Sequence, residues 1–150
     1  MDTRKRLEAM HWVQKAISSY ESLGAEKTLR LIGDRKGPFI DGESYIFALD
    51  IEGKVLAHPY SKELVGRNLM DLMDSDGKSF IEKLLIKSKD GGFGFIEYTW
   101  SVPNSEGELR KTLFYERVDG MVLCSGFYKL KHPILESFFK SLSTDPCMPV

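Results

Sequence analysis

Cysteine and histidine are scarce in this chain of 150 residues, which contains two cysteines and three histidines. Cys124 lies in an apolar run and Cys147 in a proline-flanked tail, so we interpret both as free thiols. Together with His11, His58 and His132 they show no spacing typical of a zinc site. The sequence therefore argues against a disulfide-stabilised fold, and we expect no metal and no cofactor.

The chain also lacks an excess of charge and a long apolar run. Its 21 Lys and Arg residues balance 22 Asp and Glu residues, so no overall positive field attracts nucleic acid or an anionic membrane. The basic segment Thr3-Arg-Lys-Arg6 is followed by polar residues, not by the apolar core of a signal peptide. No run reaches the roughly 20 apolar residues of a membrane span. We expect no nucleic-acid partner, no secretion signal and no membrane span in this chain.

What is present suffices for one globular domain, because 42% of the residues are hydrophobic. The first apolar pattern is that of a helix, with a core stripe formed by Leu7, Met10, Val13, Ile17 and Tyr20. Trp12 and Ala16 form a second, narrower stripe. Trp12 either packs against a second subunit or widens the core-facing side, and both interpretations stay open. A short second helix is predicted over residues 25–32, closed by Gly33.

The rest of the chain predicts an antiparallel sheet. Alternating apolar residues from Tyr45, a Glu52-Gly53 turn and a second run to His58 are typical of a hairpin. A helix is predicted from Lys78 to Lys89, with a core stripe of Phe80, Ile81, Leu84 and Leu85. Three further strands are predicted over residues 93–101, 109–118 and 121–130, and a short helix over 134–142. We expect an α+β fold with a five-stranded antiparallel sheet and its helices on one face.

Aromatic side chains and one lysine share a face of this predicted sheet. Tyr98 and Trp100 lie two residues apart on one strand, and Lys111 and Tyr115 lie on the same side of the next. A lysine in an otherwise apolar strand either extends to solvent or finds an anionic partner, because an unpaired buried charge costs several kcal/mol. The pattern alone leaves both interpretations open.

Two patterns do not indicate chemistry. Asp74-Ser75-Asp76-Gly77 is similar to a calcium loop, but the first ligand position is then Leu72 and the bidentate position is Lys83. No nucleophile has an adjacent base in a known catalytic context, so His58 alone does not define a catalytic site.

The amino-acid sequences of several segments resemble one family. The matching segments are Tyr45 to Pro59, Gly66-Arg67-Asn68, Asp76 to Phe80, Gly91 to Gly94, Tyr98-Thr99-Trp100, Lys111 with Tyr115, and Gly126-Phe127-Tyr128. Together they resemble a single Cache domain of type 2, a PAS-like module that senses small molecules, usually outside the cytoplasmic membrane and tethered to a kinase or chemotaxis module. The resemblance extends from about Trp12 to Lys129. It implies an amino-terminal helical part (1–33), a sensor core (34–130) and a carboxy-terminal extension (131–150), the last partly mobile.

The resemblance also implies a ligand and a set of contacts. The ligand class is a small organic acid such as acetate, propionate, lactate or pyruvate. Lys111 and Arg67 would neutralise its carboxylate, and Tyr45 and Tyr115 would donate hydrogen bonds to it. Phe47, Phe80, Tyr98 and Trp100 would limit the size of the pocket. His58 would contact the ligand or brace the loop.

Three further expectations accompany this interpretation. The first is a homodimer through the amino-terminal helix, with a kinase or chemoreceptor as signalling partner. The second concerns location: family members are usually periplasmic, whereas a complete chain without a signal or span would be cytoplasmic. The third is that the domain is not an enzyme. The alternatives are a small acid-binding enzyme with His58 as general base, and a protein-interaction module with a vestigial pocket.

Overall fold

The computed structural model describes residues 3–42, 44–101 and 108–128. Its helices are α1 (Thr3–Leu23), α2 (Ala25–Ile32) and α3 (Phe80–Gly91). Its strands are β1 (Ile40–Asp41), β2 (Ser44–Asp50), β3 (Val55–Ala57), β4 (Phe93–Ser101), β5 (Glu108–Val118) and β6 (Met121–Tyr128), and a 3₁₀ turn spans Lys62–Leu64. The predicted helices and strands are all present, except those that fall outside the described residues.

The sheet is antiparallel, with the strand order β1-β2-β6-β5-β4 and with β3 paired to β2. Its central register places Phe47 opposite Cys124, and Lys111 between Tyr98 on β4 and Tyr128 on β6. Asp119 adopts a positive φ of 53° in the β5–β6 turn, as a tight two-residue hairpin requires. The five predicted strands are confirmed, and the two-residue β1 adds a sixth.

Helices cover both faces of the sheet, which corrects the prediction that they lie on one. Alternate residues of β2 contribute to two separate apolar clusters. The cluster on the face covered by α1 and α2 is called the helix-side cluster. It includes Ile46 and Ala48 of β2. The second cluster joins β2 through Tyr45, Phe47 and Leu49 to α3 and the loop after β3. The prediction failed because the sequence shows which residues are apolar but not which face each helix takes.

The core-facing side of α1 also differs from the predicted stripe. Ala9, Val13, Ala16 and Ile17 are buried, whereas Leu7 and Met10 are 61% and 37% exposed. Trp12 is half-buried and packs against the helix-side cluster. The structure therefore favours the interpretation that Trp12 widens the core-facing side.

Several predictions fall on residues that the structure does not describe. These are the helix over 134–142, the extension 131–150, the thiol of Cys147 and the end of the last strand beyond Tyr128. Cys124 is buried as a free thiol. Within residues 3–42, 44–101 and 108–128, no helix is both long and apolar enough to cross a membrane.

Candidate functional site

Lys111 is the residue around which the candidate site is built. It lies on β5 with only 2% of its side chain exposed, on the sheet face covered by α3. Its ammonium Nζ donates a hydrogen bond to Tyr45 Oη of β2 at 3.0 Å. Within the described ranges, no carboxylate lies close enough to form an ion pair with it. Lys111 does not extend to solvent, which removes one of the two interpretations that the sequence left open, and an anionic partner for it stays a prediction.

Aromatic rings surround this ammonium group. The distances from Lys111 Nζ to the ring centroids are 4.9 Å for Tyr45, 5.3 Å for Tyr128 and 5.9 Å for Phe47. Ring faces attract a cation, and more strongly where water is excluded. The rings stabilise the ammonium group in part, but they cannot neutralise its charge.

Burial changes the proton affinities of the groups in this cluster. It lowers the pKa of Lys111 from 10.5 to about 7, against a smaller opposing effect of Cys124. The pKa of the Tyr45 phenol is raised by burial. That of Tyr98 is also raised by burial first, and then by the nearby groups of Tyr128, Tyr45 and Cys124. The phenols therefore stay neutral and can act only as hydrogen-bonding groups, which leaves Lys111 as the source of charge.

His58 braces the loop that closes over this face. The imidazole Nδ1 accepts hydrogen bonds from the backbone N–H groups of Tyr60 at 3.2 Å and Ser61 at 3.0 Å. Its ring stacks on Phe47 with centroids 5.4 Å apart and lies 5.2 Å from Tyr45. A neutral His58 must carry its proton on Nε2, because Nδ1 is already an acceptor. His58 thus braces the loop and lines the aromatic cluster at the same time.

Arg35 holds the same loop from the other side. Its guanidinium donates to the carbonyl oxygens of Pro59 and Tyr60, both at 3.0 Å. Tyr60 in turn packs its ring edge against Tyr45 at 5.1 Å and donates its hydroxyl to the carbonyl of Gly42. The loop is therefore fixed by His58 from within and by Arg35 from the segment after α2.

Phe80 and Tyr98 form the wall contributed by α3 and β4. Their rings are stacked with centroids 4.0 Å apart and planes 12° apart, and both side chains are buried. Tyr98 lies directly across from Lys111 in the β4–β5 register. The wall and the charged residue are therefore neighbours.

Three predicted site residues do not join this cluster. Arg67 is exposed, and its carbonyl pairs with the N–H of Val55, so its guanidinium lies at the surface. Tyr115 shares the sheet face, but its hydroxyl reaches over Gly94 of β4, where a Cβ atom would approach it to 2.7 Å. The Trp100 backbone pairs with Leu109, and its side chain lies outside the described part of the structure. Ligand contacts by these three residues stay predictions, and the geometry lends Arg67 and Tyr115 no support.

Sequence reasoning missed four residues of the site: Tyr128, Tyr60, Arg35 and Gly126. A Cβ atom on Gly126 would lie 2.9 Å from Lys111 Cε and 2.7 Å from the carbonyl oxygen of Thr112, so only glycine leaves room for the lysine stem. Alternation along β6 places Gly126 and Tyr128 on the same face as Cys124, a signal that the sequence contains. Nothing in the sequence indicates the reach of Arg35 to the loop, which depends on the tertiary fold.

A separate cavity of about 160 Å³ lies on the helix side of the sheet. The β2–β6 ladder ends at the pair Ile46 and Ser125, and Tyr45 pairs with β1 instead. The cavity is lined by residues that include Lys5, Glu8, Trp12, Ser44, Ser125 and Tyr128. Tyr128 is shared with the lysine cluster, since its ring centroid lies 5.3 Å from Lys111 Nζ.

No group of three His, Cys, Asp or Glu side chains in the described ranges is arranged to hold a metal ion. The acidic loop that is similar to a calcium site is instead an internal turn. Asp74 accepts the N–H groups of Asp76 and Lys78 through Oδ1 and that of Thr99 through Oδ2. Its carboxylate is thereby used in holding the loop against β4.

The geometry therefore gives an α+β domain with an antiparallel sheet between helices, and its buried cationic cluster is a candidate ligand site. The family model "Single Cache domain 2" matches residues 25–127, more than half of the chain. The chain belongs to this family. The family resemblance and the α+β, PAS-like Cache fold expected from the sequence are confirmed.

Solved structures show the same fold. A methyl-accepting chemotaxis protein from Vibrio parahaemolyticus is 24% identical, with a TM-score of 0.68 over 85% of this chain and 89% of that one. A Cache chemosensory domain described in terms of carboxylic acid recognition is also 24% identical, with a TM-score of 0.70 over 85% of this chain and 95% of that one. The periplasmic sensor domain of a chemotaxis protein is 26% identical, with a TM-score of 0.62 over 85% and 92%.

A curated relative gives the wider context. The methyl-accepting chemotaxis protein McpP of Pseudomonas putida KT2440 is 22% identical over 124 residues, which is 81% of this chain. The chain spans 21% of the length of that relative. The matched part is thus a Cache sensor domain of the type found in chemoreceptors.

Proposed function

We propose that this domain binds a small monocarboxylate, such as acetate, propionate, lactate or pyruvate, with Lys111 as the counter-charge. The observation that carries the proposal is the buried ammonium group of Lys111, which has a tyrosine hydroxyl and aromatic rings as neighbours but no carboxylate among the described residues. A buried cation without a counter-charge is unfavourable, and an anionic ligand relieves that cost.

The cluster also suggests how the ligand is oriented and limited in size. Tyr45 Oη, the hydrogen-bond partner of Lys111, can donate its proton to a carboxylate oxygen. Phe47, Phe80 and Tyr98 are fully or almost fully buried and surround this position. We expect such walls to limit the ligand to a tail of few carbons. The Cache domain described in terms of carboxylic acid recognition supports the same ligand class.

Signalling belongs to the same proposal. The similar chemotaxis proteins suggest that the domain passes ligand binding to a chemoreceptor or kinase module, from the periplasmic side of the membrane. Homodimerisation through α1 is part of this proposal.

Two alternatives receive less support. An enzyme with His58 as general base needs a free basic nitrogen, but Nδ1 already accepts two backbone N–H groups. A pure interaction module does not explain why a lysine is buried among aromatic rings. The alternatives predict turnover of a bound acid in the first case and no response to any acid in the second.

A thermal-shift screen of short-chain acids and amino acids tests the proposal. A ligand that binds only the native state at about 100 times its Kd adds roughly 2.7 kcal/mol to the free energy of unfolding, so we expect a rise in Tm with monocarboxylates. A flat response across the whole screen would contradict the proposed ligand class.

Lys111→Met tests the position of the site. The variant keeps most of the stem but not the charge, so the ligand-free protein should be equally or slightly more stable. Affinity for the acid should fall by about 2 to 5 kcal/mol, the typical cost of removing one member of a buried pair. The matched control is Lys83→Met on the exposed side of α3, which should bind as wild type. Calorimetry that finds equal Kd values for both variants would place the site elsewhere.

A further inference from the structure

The position of Lys111 makes its charge costly when no anion is present. The ammonium group is removed from water and bonded to the hydroxyl of Tyr45, while the rings of Tyr128 and Phe47 lie within 6 Å of it. A hydroxyl and ring faces replace only part of the lost hydration. A buried amine in such surroundings can escape the cost by losing its proton.

Other titratable groups lie on or beside this face of the sheet, from every element packed around Lys111, and none of them is a carboxylate. They are Tyr45 of β2, His58 after β3, Tyr98 of β4, Tyr115 of β5, and Cys124 and Tyr128 of β6. Burial raises the pKa values of the Cys124 thiol and the Tyr45 phenol, so both stay neutral. Phe80, the residue of α3 that stacks on Tyr98, does not titrate. His58 carries an imidazole, so it is the group of this set that an experiment must distinguish from Lys111.

Resting on the proposed function, we infer that the domain takes up a proton when it binds a carboxylate, because the buried Nζ of Lys111 has only a hydroxyl and ring faces around it in the ligand-free protein and gains the counter-charge of an ammonium ion in the complex. The proton passes from solvent to Nζ, and no covalent bond to the ligand forms. The acid itself enters as its anion, since carboxyl groups are ionised well below neutral pH.

Thermodynamic linkage gives this coupling a definite pH dependence. Burial lowers the pKa of Lys111 to about 7 in the ligand-free protein, and a bound anion raises it again. Below that pKa the amine is already charged, so affinity should be nearly constant. Above it, each pH unit should weaken binding about tenfold, which gives roughly 100-fold between pH 6 and pH 9.

Calorimetry in buffers of different ionisation enthalpy measures the proton directly. Acetate, propionate, lactate and pyruvate are each titrated into the wild-type domain, and the tightest binder is measured at each pH in two buffers that hold that pH and differ in ionisation enthalpy. Linkage predicts an uptake of about one proton at pH 8.5 and about 0.1 at pH 6. Binding with the same Kd at both pH values and with no dependence on buffer would overturn the inference and leave the proposed function intact. If none of the four acids binds at pH 6, the proposed function fails and the inference fails with it.

Two variants assign the proton to Lys111. Lys111→Arg keeps a permanent charge, so it should bind without proton uptake. His58→Asn replaces the imidazole acceptor with an amide oxygen that can still accept the N–H groups of Tyr60 and Ser61; its affinity for the acid can change, but the number of protons taken up per acid bound should match wild type. Loss of uptake in His58→Asn would transfer the proton to His58 and overturn the inference. If Lys111→Arg does not fold, an NMR titration of the wild-type lysine side chains decides the assignment, with a midpoint near 7 expected for Lys111.

Discussion

Asp74 shows how much a single side chain determines in this fold. Its Oδ1 accepts the N–H groups of Asp76 at 3.0 Å and Lys78 at 2.8 Å, and its Oδ2 accepts that of Thr99 at 3.0 Å. These bonds close the loop before α3 and fix it to β4, one residue after Tyr98. The aromatic wall of the candidate site therefore depends on a carboxylate that lies outside it.

The pKa of Asp74 predicts a pH-dependent stability. Burial alone would raise this pKa, but the three backbone donors and Lys78 hold it below its ordinary value of 3.8. A carboxyl with a lower pKa in the folded than in the unfolded state stabilises the fold above the unfolded value, and this stabilisation is lost as pH falls through the folded value. Asp74→Asn should therefore lower the free energy of unfolding by about 1 to 3 kcal/mol at neutral pH and by much less in strong acid.

Urea unfolding of both proteins at about pH 7 and at several pH values down to about pH 2 measures this difference. Asp71→Asn is the matched control, because Asp71 is exposed and its replacement should change stability by less than about 0.5 kcal/mol. If Asp74→Asn lowered the free energy of unfolding equally at neutral and acid pH, the ionisation of Asp74 would not contribute to stability.

At the scale of elements, α1 packs two alanines against the sheet and exposes two of its larger apolar residues. Ala9 and Ala16 lie on the buried side and let the helix approach the sheet closely, with Val13 and Ile17 filling the contact. Leu7 and Met10 are left at the surface beside Phe114 and Glu116. Trp12, by contrast, packs on the domain itself. Its replacement would therefore disturb the fold and would not report on a subunit contact.

If the domain dimerises through α1, Leu7 and Met10 are the side chains that a second copy would bury. The double variant Leu7→Glu with Met10→Glu should be monomeric, because two charges in an apolar interface are costly. Its circular-dichroism spectrum should match wild type, since both positions are exposed in the domain. The control Ser18→Glu changes another exposed position of α1 and should leave the sedimentation profile unchanged. A wild-type domain that sediments as a monomer would refute dimerisation at this helix.

The elements themselves could be predicted well because they follow from local patterns. The bounds expected for α2 and β4 agree with the structure, since alternation, helical periodicity and glycine positions all act within a few residues. The expected start of α3 at Lys78 was two residues early, because Asp74 takes up the Lys78 N–H and keeps that residue in the loop. A hydrogen bond from four residues away cannot be read from helical periodicity.

The candidate site could be predicted only in part, for the same reason. Periodicity placed Tyr98 and Lys111 on one face, and the register confirms that they are neighbours. It could not show that Tyr115 reaches toward Gly94, or that the backbone around Arg67 pairs with β3 and leaves its side chain outside. Those positions depend on side-chain direction and on loop pairing, which are set by the assembled fold.

At the scale of the whole molecule, the two apolar clusters share one sheet. β2 contributes alternate residues to both, so the face with Lys111 and the face with α1 cannot separate without breaking the same strand. Ile32 of α2 belongs to the helix-side cluster, and Leu84 of α3 to the other. Both side chains are fully buried. A domain of this size with shared strands should unfold as one cooperative unit.

Ile32→Ala and Leu84→Ala test whether the domain unfolds as one cooperative unit, and they also test the location of the site. Each should lower the free energy of unfolding by about 2 to 5 kcal/mol, and each should shift one single transition without splitting it. Ile32→Ala should leave the Kd for the carboxylate unchanged, because Ile32 lies across the sheet from Lys111. Calorimetric unfolding and ligand titration measure the two effects on the same samples. Two resolved transitions in either variant would mean that the layers unfold separately, and weaker binding in Ile32→Ala would mean that the helix-side layer also shapes the ligand site.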